Sequence, residues 1–153
     1  MHVRLMTRAD VPACAAIMAG TWLWQRYGVT EDQAARRFRD GLARGATVFV
    51  AEVDAQVVGF VWCEPRGAFA RSGYIPLIGV AEGHRGMGVG AALLARAEDF
   101  LARTARDVFL LVSDFNTGAQ RFYERHGYVR VGALPDYVIE GVTEYIYRKR
   151  LED

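Results

Sequence analysis

Cysteine is scarce. Cys14 and Cys63 are the two in 153 residues, each inside an apolar helical or strand pattern and neither in a metal-like spacing, so both read as small buried thiols and no metal site is expected. An excess of charge of either sign is also missing. With 19 Lys and Arg against 18 Asp and Glu the net charge is +1, which leaves no general field to draw in nucleic acid or an anionic lipid surface. No run reaches the ~18 apolar residues of a membrane span, and Met1-His2-Val3-Arg4 has no apolar signal core. The expectation is a cytoplasmic protein with no nucleic-acid and no membrane partner. Repeats, low-complexity tracts and linkers are lacking too. At this length, with 52% apolar and 24% charged residues, the chain reads as one domain over 1–153 with a real core.

What is present centres on Tyr74 to Leu101. A strand-like apolar run, Tyr74 to Val80, passes through a short polar loop into Arg85-Gly86-Met87-Gly88-Val89-Gly90-Ala91, and a helical pattern follows with apolar residues at Val89, Leu93, Ala97, Phe100 and Leu101. Glycines at alternate positions before a helix let a ligand approach the backbone, and first-turn N–H groups there have no intrahelical partner. Such an end favours an anion, and Arg85 adds a positive charge. The glycines also fit a G-x-G-x-x-A dinucleotide fingerprint. Against that, five residues separate them from the strand and most of a domain precedes them. No G-x-x-x-x-G-K-[ST] run exists, which excludes a nucleotide P-loop.

A second block lies downstream: Asn116-Thr117-Gly118-Ala119-Gln120-Arg121-Phe122-Tyr123-Glu124-Arg125-His126-Gly127-Tyr128. Together the two blocks resemble the GCN5-related N-acetyltransferase (GNAT) superfamily. The first is similar to its R/Q-x-x-G-x-G/A acyl-CoA signature after a strand, and the second to its N-x-x-A-x-x-F-Y-x-x-x-G-F/Y segment. The resemblance implies an acetyl-CoA-dependent N-acetyltransferase without a metal.

The element pattern extends the likeness over nearly the whole chain. Strands are expected at Val3–Met6, Thr47–Val53, Gln56–Cys63, Tyr74–Val80, Val108–Ser113, Tyr128–Leu134 and Thr143–Arg150, with a hairpin at Asp54-Ala55 and a loop over Pro65–Ser72. Helices start at Thr7 with Asp10 and at Thr30 with Gln33, both resembling capping boxes, and two more follow the glycine loop and Asn116. The order β-α-α-β-β-β-α-β-α-β-β predicts an α/β fold with a mixed sheet and helices on both faces. Tyr74–Val80 and Val108–Ser113, joined through a helix, run parallel. In the family those two strands splay apart and hold the pantetheine arm between them.

By the same resemblance the backbone of Ile78, Gly79 and Val80 holds the pantetheine amides, the amides from Gly86 to Ala91 hold the pyrophosphate, and Asn116 contacts the cofactor besides capping its helix. Tyr123 matches the tyrosine held to protonate the leaving thiolate. Where several members carry a glutamate as base, this chain has Tyr74, which leaves the base open between Tyr74, Glu64 on the neighbouring strand, and water. Trp22, Trp24 and Tyr27 fall in the inter-helix segment that often lines the acceptor pocket, and Tyr137 approaches from the closing loop. The acceptor expected is a primary amine of a small molecule or a peptide N-terminus, attacked directly in a ternary complex, because no cysteine is placed to carry an acyl group. Aromatic residues in the last two strands point to a homodimer. A non-catalytic acyl-CoA-binding module and a nucleotide-binding oxidoreductase stand as alternatives.

Overall fold

The computed structural model describes residues 1–151. Seven strands form one sheet: β1 (His2–Leu5), β2 (Thr47–Val53), β3 (Gln56–Ala68), β4 (Ser72–Val80), β5 (Asp107–Ser113), β6 (Val129–Leu134) and β7 (Glu144–Arg150). Their spatial order is β1-β2-β3-β4-β5-β7-β6, and only β4 and β5 run parallel. Among the described residues five α-helices accompany them, α1 (Val11–Ala19), α2 (Trp22–Arg26), α3 (Glu31–Ala43), α4 (Val89–Leu101) and α5 (Thr117–Arg125), with 3-10 turns at Arg8–Asp10 and Glu82–His84.

The pleat sends alternate β2 residues to opposite faces. Val48 and Val50 pack with Cys14, Met18 and Phe38 of α1 and α3, while Phe49 and Ala51 pack with Leu93, Ala97 and Leu101 of α4. The mixed sheet with helices on both faces therefore forms as the pattern predicts. At the start of α3, Thr30 Oγ1 accepts from the Gln33 amide and Gln33 Oε1 from the Thr30 amide, which satisfies two donors at the helix end. At Thr7 the expected box also forms, with the Asp10 carboxylate accepting from the Thr7 amide, and it opens a single 3-10 turn, Arg8–Asp10, ahead of α1.

Three expectations need correction. The five residues Trp22–Arg26 form an additional short helix, which a stretch of less than two turns cannot announce by periodicity. Pro65–Ser72 is not a loop. β3 continues to Ala68 and turns through Phe69 and Ala70, both at positive φ (58° and 56°), into Ser72. Pairing of β3 with β2 ends at Cys63, and the register with β4 shifts on either side of Glu64, so Pro65 lies where one neighbour has gone. In the closing strands, Tyr128 and Tyr147 are core residues rather than surface aromatics.

β4 and β5 pair only at Gly73 with Val108 and Tyr74 with Phe109, then diverge. That divergence opens the cleft described next.

Candidate functional site

A cavity of about 620 Å³ lies beyond the point where β4 and β5 part. One wall is Ile78, Gly79 and Val80. The next is the loop into α4, contributing His84, Arg85, Gly86, Gly88, Val89, Gly90 and Ala91; Asn116, Phe122 and Tyr123 of the α5 region close the far side. The loop sequence dictates its shape. Gly86 (φ 75°) and Gly88 (φ 82°) sit in the left-handed region, which costs an L-residue roughly 1–2 kcal/mol, and Gly88 is the N-cap of α4. No protein side chain crowds either position. Gly90 differs: a Cβ there would touch the Phe122 ring at 3.4 Å, an ordinary contact. The first-turn amides of α4 thus lie beside open space, as an anion site needs.

Arg85 and Arg125 add positive charge to this wall, and His84 and His126 line it. His126 Nδ1 is 2.8 Å from the Phe122 carbonyl and donates to it, which leaves Nε2 as the other polar atom of the ring. His84 Nδ1 is buried with no hydrogen-bond partner among the described residues. Met87 is exposed at 60% and does not line the cavity.

A second cavity of about 330 Å³ lies on the other side of the splay. Tyr27, Tyr74, Tyr137, Arg37, Ser113 and Glu144 give it polar character over an apolar floor that includes Leu77, Leu110 and Val112. Leu23, Trp24, Ile78, Asn116, Ala119 and Tyr123 line both cavities, so the two meet there. Tyr123 is buried against Phe122 and Tyr128, and burial pushes its hydroxyl well above the ordinary tyrosine value, which keeps it protonated across neutral pH. Asn116 Oδ1 accepts from the Ala119 amide, so its capping role is present beside its place at the junction.

The sequence candidates distribute unevenly. Tyr27 and Tyr137 stand on the second cavity, whereas Trp22 lines the first, edge-on to Phe115. Trp24 touches both cavities but is mainly core, buried and stacked on Phe60 at 5.8 Å. Glu64 pairs across the strands with Tyr74, yet it lines a separate groove with Trp62 and Arg66. Tyr74 faces the second cavity; burial first, then the charge of Glu64, raises its hydroxyl pKa.

Sequence reasoning missed Glu144. This carboxylate is 6% exposed; the Tyr27 hydroxyl donates to its Oε2, and the Ser113 hydroxyl also reaches that oxygen, at 3.4 Å. Burial and then the Glu144 bond push Tyr27 up to about 12. Ser113 faces Glu144 in the β5–β7 register, and the next residue, Asp114, locks the strand ends by exchanging hydrogen bonds with the Thr143 backbone. The only signal was a carboxylate in the alternating run Thr143-Glu144-Tyr145-Ile146-Tyr147, which does not reveal which face is inside. His84, Phe115, Arg125 and His126 were likewise missed as lining residues.

Among the described residues, no helix is long and apolar enough to cross a membrane and no cluster of potential metal ligands occurs.

Residues 15–128 match the model of the acetyltransferase (GNAT) family. An N-alpha-acetyltransferase of Sulfurisphaera tokodaii is 30% identical over 112 residues, which are 66% of this chain and 67% of that protein. Among solved structures, a GNAT-family acetyltransferase structure from Desulfovibrio desulfuricans superposes with a TM-score of 0.84 at 23% identity, covering 99% of both chains. A structure from Bacillus anthracis described as a streptothricin acetyltransferase, in complex with acetyl coenzyme A, has a TM-score of 0.65 at 22% identity and covers 70% of this chain and 63% of that one.

Proposed function

The chain belongs to the acetyltransferase (GNAT) family and is an acyltransferase; from that premise we propose that it moves an acetyl group from acetyl-CoA to a primary amine of a small molecule or a peptide N-terminus, by direct attack in a ternary complex. The observation that carries this reading is the meeting of two cavities at Ile78, Asn116 and Tyr123. One has an anion-binding loop and the other a polar pocket, so donor and acceptor can enter from opposite sides and react where the strands part.

In the first cavity the amides of Gly86 to Ala91 and Arg85 take the pyrophosphate, with charge-assisted bonds of roughly 1.5–3 kcal/mol each. The pantetheine amides pair with the strand edge that β4 exposes after Tyr74, and a backbone N–H of Ile78 to Val80 polarises the thioester carbonyl. The amine attacks that carbonyl, the C–S bond breaks, and the Tyr123 hydroxyl donates to the departing sulfur. A tyrosine raised by burial is a weaker acid than a thiol near ~8.5, so it acts by hydrogen bonding and gives up its proton only as another replaces it. Direct attack is supported by the two cysteines. Both are buried, neither lines either cavity, and burial pushes both thiols up to about 12, far from a nucleophilic thiolate.

The name of the Sulfurisphaera relative and that of the Bacillus anthracis structure favour a peptide end and a small molecule respectively as acceptor. The reading also includes one domain over 1–153, a cytoplasmic location and a homodimer formed along the exposed edge of β6, where Val129 and Val131 face solvent.

The test is a screen for thiol release from acetyl-CoA across primary amines and short peptides with free N-termini. Release with at least one acceptor is expected. Tight acetyl-CoA binding without release from any amine would overturn the amine reading.

A further inference from the structure

The second cavity contains a buried carboxylate with half of its hydrogen-bonding capacity committed. Glu144 Oε2 accepts from Tyr27, with Ser113 nearby, while Oε1 has no donor among the described residues. A buried carboxylate is costly unless paired, and a cationic partner is the usual remedy. The charged and titratable groups that line the same cavity are Tyr27, Tyr74, Tyr137, Tyr123 and Arg37, and Arg37 makes no ion pair with Glu144. What is missing is a cation, and an alkylamine, with a pKa near ~10.4, arrives as one at neutral pH. We infer that Glu144, oriented by Tyr27 and Ser113, receives the ammonium group of the acceptor in the second cavity and takes its first proton. This rests on the reading of the chain as an amine acetyltransferase.

The protons balance as follows. The acceptor enters as R–NH₃⁺ and gives one proton to Glu144, which passes it to solvent. The neutral nitrogen forms its bond to the thioester carbon, and the nitrogen of the resulting adduct then carries a second surplus proton. As the C–S bond breaks, Tyr123 gives its proton to sulfur and is re-protonated by that nitrogen. The products are R–NH–acetyl, CoA–SH and one proton in solvent. Glu64, which the sequence offered as a base, lines another groove and is not needed in this route.

The geometry also says why Tyr27 and Ser113 matter. They approach from the end of β5 and from the segment after α2: the Ser113 hydroxyl donates to the Tyr27 oxygen, and Tyr27 in turn donates to Oε2, which leaves Oε1 as the free acceptor. They are positioning residues.

The experiment uses the full chain and five acceptor probes: n-hexylamine, phenethylamine, spermidine, methionine and the tripeptide Ala-Phe-Ala. The best of them in the wild type is then used with Glu144→Gln, Glu144→Asp and Tyr27→Phe. Glu144→Gln keeps the acceptor for the Tyr27 hydroxyl and removes the charge. It should lower kcat/KM for that amine at least 100-fold, while calorimetric binding of acetyl-CoA stays within twofold of wild type; Glu144→Asp should recover at least a tenth of the lost activity. Unchanged kcat/KM in Glu144→Gln overturns the inference and leaves the amine reading standing, and so does Glu144→Asp no better than Glu144→Gln. Should Glu144→Gln fail to bind acetyl-CoA through misfolding, Tyr27→Phe decides: a fall of about tenfold in kcat/KM with intact cofactor binding supports the assignment, and no fall overturns it. If the wild type binds acetyl-CoA yet acetylates none of the five probes, the amine reading fails and this inference fails with it.

Discussion

Tyr123 stands at the junction of the two cavities with its hydroxyl held protonated by burial, so its removal should touch chemistry and not binding. Tyr123→Phe is expected to lower kcat by roughly 10-fold to 100-fold with little change in either Michaelis constant, read by thiol release. Trp24 behaves differently. Because it is buried and stacked on Phe60, Trp24→Ala is a core truncation costing roughly 3–5 kcal/mol, and calorimetry should show Tm lowered by about 10 °C. A stable Trp24→Ala variant with only a raised acceptor KM would show that the side chain serves the pocket alone. A third residue links stability to pH. Arg4 donates to both oxygens of Asp10 at 2.7 and 2.9 Å and the Thr7 amide adds a bond of 2.8 Å. The Arg4 bond, first among the causes, holds Asp10 below the ordinary carboxylate value. The folded pKa being depressed, this stability is present above the unfolded value of ~3.9 and is lost as pH falls through the folded one. Thermal melts should therefore separate wild type from Asp10→Asn at pH 6, and the gap should close below about pH 4.

Whole elements show which features a sequence announces. The cap of α3 was legible because Thr30 and Gln33 act within one helical turn, and Thr30→Ala should cost about 1 kcal/mol in thermal melts while leaving thiol release unchanged. The β2–β3 hairpin at Asp54 and Ala55 and the glycine loop before α4 were legible for the same reason: their determinants are local. The extension of β3 past Pro65 was not. It depends on where β2 stops pairing, which is a property of the sheet, while Pro65 and Gly67 by themselves read as a loop. Glu144 was hidden by separation. Its partner Tyr27 lies 117 residues away and Ser113 31 residues away, and an alternating strand does not say which of its faces meets another element. The splay of β4 from β5 was expected from the family resemblance alone, and only two paired positions remain between them.

At the scale of the molecule, the two cavities are proposed to be the donor and acceptor halves of one cleft running through the gap in the sheet. Ligand linkage follows: acetyl-CoA at 100 times its Kd should raise stability by about 2.7 kcal/mol, visible as a rise in Tm of several degrees. The exposed edge of β6, with Val129 63% and Val131 53% exposed, is the surface proposed for dimer formation; sedimentation should show a dimer at tens of micromolar, and a monomer there would contradict it. The most direct measurement is the structure of the full chain with CoA bound. The account predicts the pyrophosphate on the amides of Gly86 to Ala91, the pantetheine arm between β4 and β5, and the sulfur at the junction within about 3.5 Å of the Tyr123 hydroxyl, with the cavity of Tyr27, Tyr74 and Glu144 left open to an acceptor. CoA bound on another face, or a sulfur pointing away from that junction, would contradict it.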